Sequence, residues 1–324
     1  MNPEVILMTI LDSKMASLNY YWKRTATELT WTIAFRETTN CILDESKIPF
    51  TIKKENPGFW GADPFLYEWR GEIYLFYELF INKKSKGVIA VSKYSHGKFT
   101  SPQIIIEEPY HMSFPCIFES KGKLFMIPET GMVDTMFLYE CISFPYQWKR
   151  VKVLLENIKT SDTIVYRDKD GLWVLASILK GNACYSYNML YRYDETLQNL
   201  TLCCQQKEEG ERGFRNAGYI FKYGNILVRP GQNCEDRQYG KSLYFWRVDN
   251  IAKEKYSETF LKEITVDDVA LESTNTYSGI HTYNRVGNIE VIDLKEIKKR
   301  HVLKHVGAFL KIIRDYVLYN VLKR

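Results

Sequence analysis

Four acidic residues stand beside short apolar runs at comparable places in the chain: Asp63, Glu78, Glu129 and Asp162. Two carboxylates flanking a glycosidic bond are the minimum for glycosyl chemistry. One exchanges a proton, and the other acts as base, nucleophile or cation stabiliser. We take Asp63, Glu129 and Asp162 as candidate catalytic residues. Asp63 is the expected key carboxylate, and Glu129 and Asp162 compete for the partner role.

Each acid also has a structural interpretation. Asp63 precedes Pro64, and Asp162 lies in a Ser-Asp-Thr sequence, so both suit turns. Glu129 ends an apolar run and suits a buried ion pair with Arg215 or Arg229. The choice depends on the elements that position these side chains.

Those elements are five hairpin-like segments, each with a small or polar head, an apolar strand, a glycine turn and a second apolar strand. They cover residues 62–78, 113–130, 161–177, 215–232 and 277–293, with turn glycines Gly71, Gly122, Gly171, Gly224 and Gly287. The heads recur at intervals of about 50 to 60 residues, near the period expected for propeller blades. Further strand-like runs between the hairpins, such as 87–94, 135–141 and 147–156, bring four blades to about four strands each.

The fifth hairpin has no such strands after it. Two strand-like runs near the N-terminus, 30–37 and 47–54, are free to complete it and close the ring. The sequence therefore predicts an all-β, five-bladed β-propeller over residues 30–293, closed by N-terminal strands at 30–54. A segment at 1–29 would precede it, and an amphipathic helix at 294–324 would follow. The alternative fold is a β-sandwich with additional hairpins.

In such a blade the first strand starts, and the second strand ends, at the same end of the central channel. The channel mouth would then collect carboxylates, arginines, histidines and aromatic rings. Carboxylates and amides bind hydroxyls, and aromatic faces cover the C–H face of a sugar. The candidate substrate-binding residues are Trp60, Glu78, His111, Ser113, Arg215, Asn216, Arg229, Gln232 and His281. Arg215 and Arg229 suit an anionic group such as a phosphate or a uronate.

Composition limits the class of protein. The chain has 324 residues and a net charge of +5, but nine Lys/Arg and only two Asp/Glu fall within 295–324. The basic charge thus belongs to the end of the chain and gives no support for nucleic-acid binding. Seven cysteines without a C-x-x-C spacing favour reduced thiols, and we predict no metal and no cofactor. No secretory signal or transmembrane run is recognised, which favours a cytoplasmic location.

Residues 295–324 change the pattern. Val302, Val306, Phe309, Ile313 and Tyr316 recur every three or four residues, with lysines and arginines between them. This indicates a basic amphipathic helix. It would pack on the propeller, bind a partner protein, or lie on the inner face of the cytoplasmic membrane.

The quoted motifs resemble a known family. ADPFLYEWRGEIYLFYE, KGVIAVSKYSHGKFT, EEPYHMSFP and IPET, over about 31–293, resemble the N-terminal propeller domain of plant glucosamine inositolphosphorylceramide transferases. Bacterial relatives of that domain occur alone or fused to formyltransferase-like domains. The domain is in turn similar to propellers of arabinanase, xylosidase and invertase type, in which an Asp at the head of blade one is catalytic. Asp63 matches that position, whereas blade two opens with Ser113 where many such enzymes have an Asp.

These observations together predict a carbohydrate-active propeller that performs glycosyl transfer or glycosidic-bond chemistry in surface-glycan biosynthesis. Its ligand would be a carbohydrate, free or linked to a nucleotide or a lipid. If it is an enzyme, it is of glycosyltransferase or glycoside-hydrolase type. The alternatives are a non-catalytic glycan-binding or scaffold module and, less favoured, a metal site built from Asp and His.

Overall fold

The computed structural model describes residue 22 and residues 25–300, 302–303, 305–310 and 314. Residues Trp31–Lys295 form one compact unit. This unit consists of five antiparallel sheets, which confirms the all-β, five-bladed propeller predicted from the repeat. Strand positions follow the aromatic and β-branched runs noted in the sequence.

The first four blades are each continuous in sequence, and their strands have the following bounds. Blade I contains β3 (Phe59–Trp69), β4 (Glu72–Ile81), β5 (Lys86–Ser95), β6 (Lys98–Phe99) and β7 (Gln103–Ile106). Blade II contains β8 (Ser113–Ser120), β9 (Lys123–Glu129), β10 (Thr135–Ser143) and β11 (Gln147–Glu156). Blade III contains β12 (Thr160–Asp168), β13 (Gly171–Leu179), β14 (Ser186–Asp194) and β15 (Asn199–Gln205). Blade IV contains β16 (Arg212–Asn216), β17 (Phe221–Tyr223), β18 (Ile226–Asn233), β19 (Ser242–Ala252) and β20 (Lys255–Ile264).

Blade V combines both ends of the propeller sequence. Its strand order is β2 (Thr51–Ile52), β1 (Thr27–Glu37), β22 (Ile289–Lys299) and β21 (Gly279–Val286). The predicted closure by N-terminal strands is therefore confirmed. Short 3-10 turns cover Gly131–Val133, Glu235–Arg237 and Val266–Asp268.

Tight turns set the register of the inner hairpins. At Arg70-Gly71 and Lys121-Gly122 both residues have positive φ, between 49° and 78°. Two consecutive residues of this kind form the turn whose twist matches antiparallel strands. Glycine at the second position adopts this conformation without steric cost. All five turns lie away from the channel mouth, so both ends of each inner hairpin meet at the mouth.

Tyr219 closes the channel below that mouth. It belongs to blade IV, yet its ring packs edge-on against Phe65 of blade I, with 4.8 Å between centroids. Its hydroxyl donates to the carbonyl of Ile117 in blade II at 2.7 Å and accepts from the Ile117 N–H at 3.0 Å. A side chain that contacts blades I and II from blade IV must cross the centre of the ring. The mouth is therefore a pocket whose base is closed by Tyr219.

The described residues before Trp31 and after Lys295 belong to a second unit. Its helix spans 305–310, and Trp22 contacts His305 and Phe309 at 4.0 and 5.0 Å between ring centroids. The helix expected from residue 294 starts later, because β22 continues to Lys299. Ile313 and Tyr316 of the predicted stripe, and most of the segment expected at 1–29, lie outside the described residues. No helix among the described residues is long and apolar enough to span a bilayer.

A buried ion pair joins the two chain ends within blade V. Arg36 on β1 donates to Glu290 on β22 at 2.9 Å, and both side chains are almost fully buried. Glu290 also accepts from the Tyr283 hydroxyl at 2.6 Å and from the Ile42 N–H at 2.9 Å. Removing the carboxylate would leave a buried guanidinium without its counter-charge.

We expect Glu290→Ala to lower the free energy of unfolding by about 3–5 kcal/mol. The matched control is Glu72→Ala, which removes the exposed partner of Lys93 and should change the free energy of unfolding little. Urea unfolding of both variants measures the difference. Equal midpoints for the two variants would contradict a role for Glu290 in closing the ring.

Candidate active site at the channel mouth

Every inner strand has a β-bulge near its mouth end. The register shifts fall between Ala62/Phe65, Ser113/Cys116, Ser161/Ile164, Arg212/Arg215 and Ile280/Tyr283. Bulges bend a strand and re-aim its side chains, and they occur often beside active sites. In blades I to V the residue that follows the start of the register shift is, in order, Asp63, Phe114, Asp162, Gly213 and His281. All of these except His281 have a positive φ, between 40° and 71°. Asp63, Asp162 and His281 are thus equivalent positions in three blades.

Asp63 is anchored through one oxygen. Its Oδ1 accepts a hydrogen bond from the Thr282 hydroxyl at 3.0 Å and lies 3.5 Å from His281 Nε2. Its Oδ2 accepts no hydrogen bond from any residue that the structure describes. Burial raises the pKa of Asp63 to about 6, with His281 opposing the rise and Asp293 and Glu129 adding to it.

Asp293 connects the heads of blades I and V. Its carboxylate accepts from the backbone N–H groups of Asp63 at 2.9 Å, His281 at 3.2 Å and Thr282 at 2.9 Å. It also lies 2.7 Å from His281 Nδ1, which donates to it. Asp293 was missed in the sequence, although it is the last residue of the predicted hairpin segment 277–293, as Glu78 is of the segment 62–78. The antiparallel geometry of the hairpins, applied to blade V, would have found it.

Asp63, His281 and Asp293 are also the residues of the described chain whose ligand atoms could share an ion, since these atoms lie within 4.8 Å of one another. The hydrogen bonds favour a different role. Asp293 already accepts four N–H donors, and the His281 nitrogen nearest to it is one of them. Oxygen ligands of a metal use the lone pairs that are occupied here. We therefore interpret His281 and Asp293 as residues that hold Asp63 in place through hydrogen bonds and close contacts.

Glu129, Asp162 and Arg215 form the second cluster, between blades II, III and IV. Arg215 Nε donates to Asp162 Oδ2, and its Nη2 is 3.4 Å from Glu129 Oε2. Its Nη1 donates to the Ala183 carbonyl at 3.1 Å, and the guanidinium lies 5.0 Å from the Tyr239 ring centroid. Glu129 thus pairs with Arg215, one of the two arginines considered for it.

Glu129 is anchored in the same way as Asp63. Its Oε2 accepts from the Ser161 hydroxyl, from the Asp162 N–H at 3.1 Å and from Arg215. Within the described chain its Oε1 has no hydrogen-bond partner, and the side chain is 17% exposed. Burial alone would raise the pKa of Glu129, but Arg215 and the hydrogen bonds from Asp162 and Ser161 outweigh it, so the pKa is lowered.

Three buried oxygens of the mouth have no partner among the described residues: Glu78 Oε1, Asp162 Oδ1 and Gln232 Oε1. Gln232 uses its amide nitrogen on Asp162 Oδ2 at 3.0 Å and on the Asn216 carbonyl at 2.9 Å. Unsatisfied buried polar atoms are rare in native proteins and usually mark a functional site or a bound water. All three are acceptors, so the mouth is short of hydrogen-bond donors.

Trp60, His111 and Ser113 lie on the side of blades I and II. Trp60 stacks on Phe80, its cross-strand neighbour, at 4.3 Å and 9° between ring planes. His111 is half-buried, and its Nε2 lies 3.5 Å from Glu78 Oε1. Ser113 is buried and pairs in register with Glu129. These positions agree with the antiparallel geometry of the predicted hairpins, in which the start of the first strand and the end of the second lie at the mouth.

Arg229 and Asn216 are placed differently from the other candidates. Arg229 is fully buried and forms a two-point ion pair with Glu258 at 2.6 and 2.8 Å. Its remaining N–H groups donate to Asn216, to Pro230 and to the Gly213 carbonyl. The Asn216 amide nitrogen donates to the carbonyls of Asp162 and Leu175. Both side chains are thus committed inside the protein, and the expected contact of Arg229 with an anionic ligand is corrected to a structural ion pair.

Sequence reasoning also missed Trp31, Tyr239 and Thr282. Trp31 stacks on His281 at 3.7 Å, and Tyr239 packs edge-on against the same ring at 5.3 Å. Trp31 comes from β1, some 250 residues before His281 in the chain, so no local pattern could join them. Thr282 follows His281 directly and was available as a signal.

Comparison with known proteins gives one family. The family model described as "Glucosamine inositolphosphorylceramide transferase 1, N-terminal" matches residues 38–302. Glucosamine inositolphosphorylceramide transferase 1 of Arabidopsis thaliana is 29% identical over 237 residues, which cover 70% of this chain and 30% of the plant protein. The Oryza sativa subsp. japonica protein of the same name is 28% identical over 243 residues, with 70% and 31% covered. The chain spans about a third of the length of these curated relatives, and the resemblance stated from the motifs is confirmed.

Solved structures share the fold. The catalytic domain of Coprinopsis cinerea GH62 alpha-L-arabinofuranosidase aligns with a TM-score of 0.52 and 10% identity, over 72% of this chain and 90% of that one. The Bombyx mori GH32 beta-fructofuranosidase aligns with a TM-score of 0.52 and 11% identity, over 85% and 60%. At these identities the likeness concerns the fold alone.

The raised pKa of Asp63 predicts a stability effect. The folded protein binds this proton more tightly than the unfolded chain, whose Asp has a pKa near 3.8. Asp63 therefore destabilises the fold as the pH rises from about 4 through 6. Asp63→Asn should raise the free energy of unfolding at pH 8 by about 2–3 kcal/mol and change it little at pH 4.

The control is Asp134→Asn, because Asp134 is exposed and has a similar φ of 48°. Asn tolerates this conformation as Asp does, so neither substitution strains the backbone. Urea unfolding at the two pH values measures both effects. A gain for Asp63→Asn that is the same at pH 4 and pH 8 would contradict a raised pKa.

Proposed function

Because the chain belongs to the glucosamine inositolphosphorylceramide transferase 1 N-terminal family, we propose that its channel mouth binds a sugar-containing substrate and makes or breaks a glycosidic bond. The observation that carries the proposal is the anchoring of two carboxylates, Asp63 and Glu129. Each is held through one oxygen and leaves the other oxygen without a partner in the described chain. Such fixed carboxylates are pre-organised for reaction, because little reorientation is needed.

The two carboxylates would take different roles. Arg215 and two hydrogen bonds keep Glu129 ionised over the working pH range, which suits stabilisation of positive charge on the sugar. Asp63 has a pKa of about 6, so it is mostly ionised at neutral pH and can accept a proton or attack as a nucleophile. Asp162 supports this pair by holding Arg215 and by donating its N–H to Glu129.

The ligand class follows from the donors that the mouth lacks. Hydroxyl groups of a sugar would donate to unpartnered acceptor oxygens at the mouth, and the half-buried Trp60 would cover a C–H face. The names of the plant relatives, which pair glucosamine with a ceramide lipid, support a sugar linked to a lipid or a nucleotide as the substrate. Surface-glycan biosynthesis remains the proposed setting.

We expect Asp63→Asn and Glu129→Gln to keep sugar binding while turnover falls about 10²- to 10⁴-fold. A thermal-shift screen of the purified protein against nucleotide sugars and glycan fragments would identify the ligand, and product analysis would give the rate. The acid limb of the pH–rate profile should fall near pH 6, since protonation of Asp63 removes the base. Glu72→Gln, at the far end of β4, is the control and should leave the rate unchanged. Unchanged turnover in Asp63→Asn would overturn the proposal.

The second candidate is a glycan-recognition module without catalysis. The ion pairs that commit Asp162 and Glu129 to Arg215 favour it, because buried acids paired with arginine are common structural devices. In that case a ligand from the screen binds the wild type and both variants equally and is never turned over.

We also propose a cytoplasmic protein whose C-terminal segment contacts the inner membrane face. The support is the cluster of nine Lys/Arg within 295–324. Truncation must begin after Lys299, because an earlier cut would remove part of β22. The truncated protein should lose flotation on anionic vesicles, and neutral vesicles are the control. Equal flotation of the full and truncated chains would refute a membrane role for the segment.

A further inference from the structure

Glu78 is a buried acid with almost no hydrogen-bonding support. It lies near the mouth end of β4, and the residue is 5% exposed. Among the described residues its carboxyl accepts no hydrogen bond, and the nearest donor is His111 Nε2 at 3.5 Å. A carboxylate removed from water without donors or a cation is costly, whereas a neutral carboxylic acid is not. The surroundings of Glu78 therefore favour its protonated form.

The charges around Glu78 act in the same direction. Burial raises the pKa of Glu78 well above its usual value, and four further carboxyl groups add to the effect: Asp63 from β3, Glu129 from β9, Asp293 from β22 and Asp162 from β12. His111 is the basic group that faces it, and burial lowers the pKa of His111. A neutral imidazole brings no positive charge to offset the four acids.

The contacts of His111 favour one oxygen of Glu78 as the site of the proton. The Gly87 N–H donates to His111 Nδ1 at 3.0 Å, so Nδ1 is an acceptor and the ring hydrogen resides on Nε2. Nε2–H faces Glu78 Oε1, which is enclosed in the protein. At 3.5 Å this is a contact and not a hydrogen bond, but Nε2–H is the donor nearest to Oε1, so the acid hydrogen is better placed on Oε2, which is not enclosed in this way.

Gly87 makes room for this pair. A Cβ at position 87 would lie 2.5 Å from Glu78 Oε1, 2.8 Å from His111 Cε1 and 2.6 Å from the Met112 carbonyl oxygen. No side chain fits there without displacing the carboxyl or the imidazole. The absence of a side chain at Gly87 thus allows the Glu78 carboxyl and the His111 imidazole to lie side by side.

From this geometry we infer that Glu78 is the proton donor of the mouth, with Oε2–H directed at an oxygen of the bound sugar and His111 as its positioning residue. The inference rests on the proposed function for the identity of the ligand. In the reaction the Oε2 proton passes to the leaving oxygen while the glycosidic C–O bond breaks and leaves its electron pair on that oxygen. The oxygen of the attacking hydroxyl forms the new bond to the anomeric carbon while Asp63 takes its proton. Asp63 later releases that proton to solvent, and solvent returns a proton to Glu78. The Glu78 carboxylate is stabilised meanwhile by His111 Nε2–H.

The first test needs no substrate. Protein labelled with ¹³C at the glutamate side-chain carboxyl is titrated by NMR, and the Glu78 resonance is assigned by its absence in Glu78→Gln and by its shift in His111→Gln. We expect the Glu78 carbon to keep the chemical shift of a protonated acid at pH 7, while the Glu129 carbon has that of a carboxylate. An ionised Glu78 at pH 7 would overturn the inference.

Two substitutions test the positioning role of His111. His111→Phe keeps the ring but removes the N–H donor, so Glu78 should titrate at a higher pH. His111→Gln keeps an N–H and should restore much of the wild-type titration. The control is His96→Asn, on an exposed turn of blade I where φ is 51°, a conformation that Asn tolerates. If His111→Phe leaves the titration of Glu78 unchanged, His111 has no positioning role.

The second test uses the substrate from the ligand screen. Glu78→Gln should lose about 10²- to 10⁴-fold in kcat on that substrate. On a glycoside of the same sugar with a dinitrophenyl leaving group, which departs without a proton, the kcat of Glu78→Gln should approach that of the wild type. Equal losses on both substrates would refute the donor role. Absence of turnover in the wild type would instead refute the proposed function, and the NMR titration would still decide the state of Glu78.

Discussion

Carboxyl groups buried together cannot all be ionised, and the mouth of this propeller depends on how that constraint is met. Asp63, Glu78, Glu129, Asp162 and Asp293 are close enough to perturb one another, and Arg215 is the arginine that contacts two of them. The protein meets the constraint by giving each acid a different set of donors. Asp293 accepts three backbone N–H groups and an imidazole, and Glu129 accepts a guanidinium, a hydroxyl and an N–H. Glu78 accepts none in the described chain and is left to protonation.

The bulges of the inner strands make these different environments possible. A regular strand would alternate its side chains between the two faces of a blade. The bulge inserts an extra residue that is aimed elsewhere, and here it is Asp63, Asp162 or His281. The same device strains blade II, where Phe114 has a φ of 47°, a conformation that a bulky residue rarely adopts. Backbone strain of this kind tends to persist where function requires it.

The sequence predicted the parts of this arrangement that are local and repeated. Hairpins, turn glycines and the closing strands follow from periodicity, and the heads and tails of the hairpins follow from antiparallel geometry. The partners of buried charges could not be predicted in this way. Both Arg215 and Arg229 were candidate partners of Glu129, yet Arg229 pairs with Glu258 on β20. That choice depends on which strands lie side by side in three dimensions, and a single sequence does not encode it in any short pattern.

Asp293 is a different case. Its position at the mouth follows from antiparallel geometry, but the strand order of blade V obscures the hairpin pattern seen in the other blades. There the second strand is β22, which continues past Asp293 to Lys299 and pairs with the N-terminal β1, so Asp293 lies in the middle of a longer strand. The closure of the ring thus makes Asp293, which binds the Asp63 N–H, hard to recognise in the sequence. It also explains why the heads of blades I and V share one carboxylate: these blades are neighbours only after the chain has closed.

Asp63 and Glu78 belong to one hairpin and lie at the same end of it, yet their environments separate them. Asp63 has the Thr282 hydroxyl and a nearby imidazole from blade V, whereas Glu78 faces an imidazole whose hydrogen is its nearest donor. Two carboxyl groups of one site whose environments favour different protonation states are the usual basis for assigning one as the acid and the other as the base. The neighbours of the hairpin decide the two roles, since its own sequence supplies an acid at each strand end. A blade I hairpin therefore acquires its chemistry only when blades II and V pack against it.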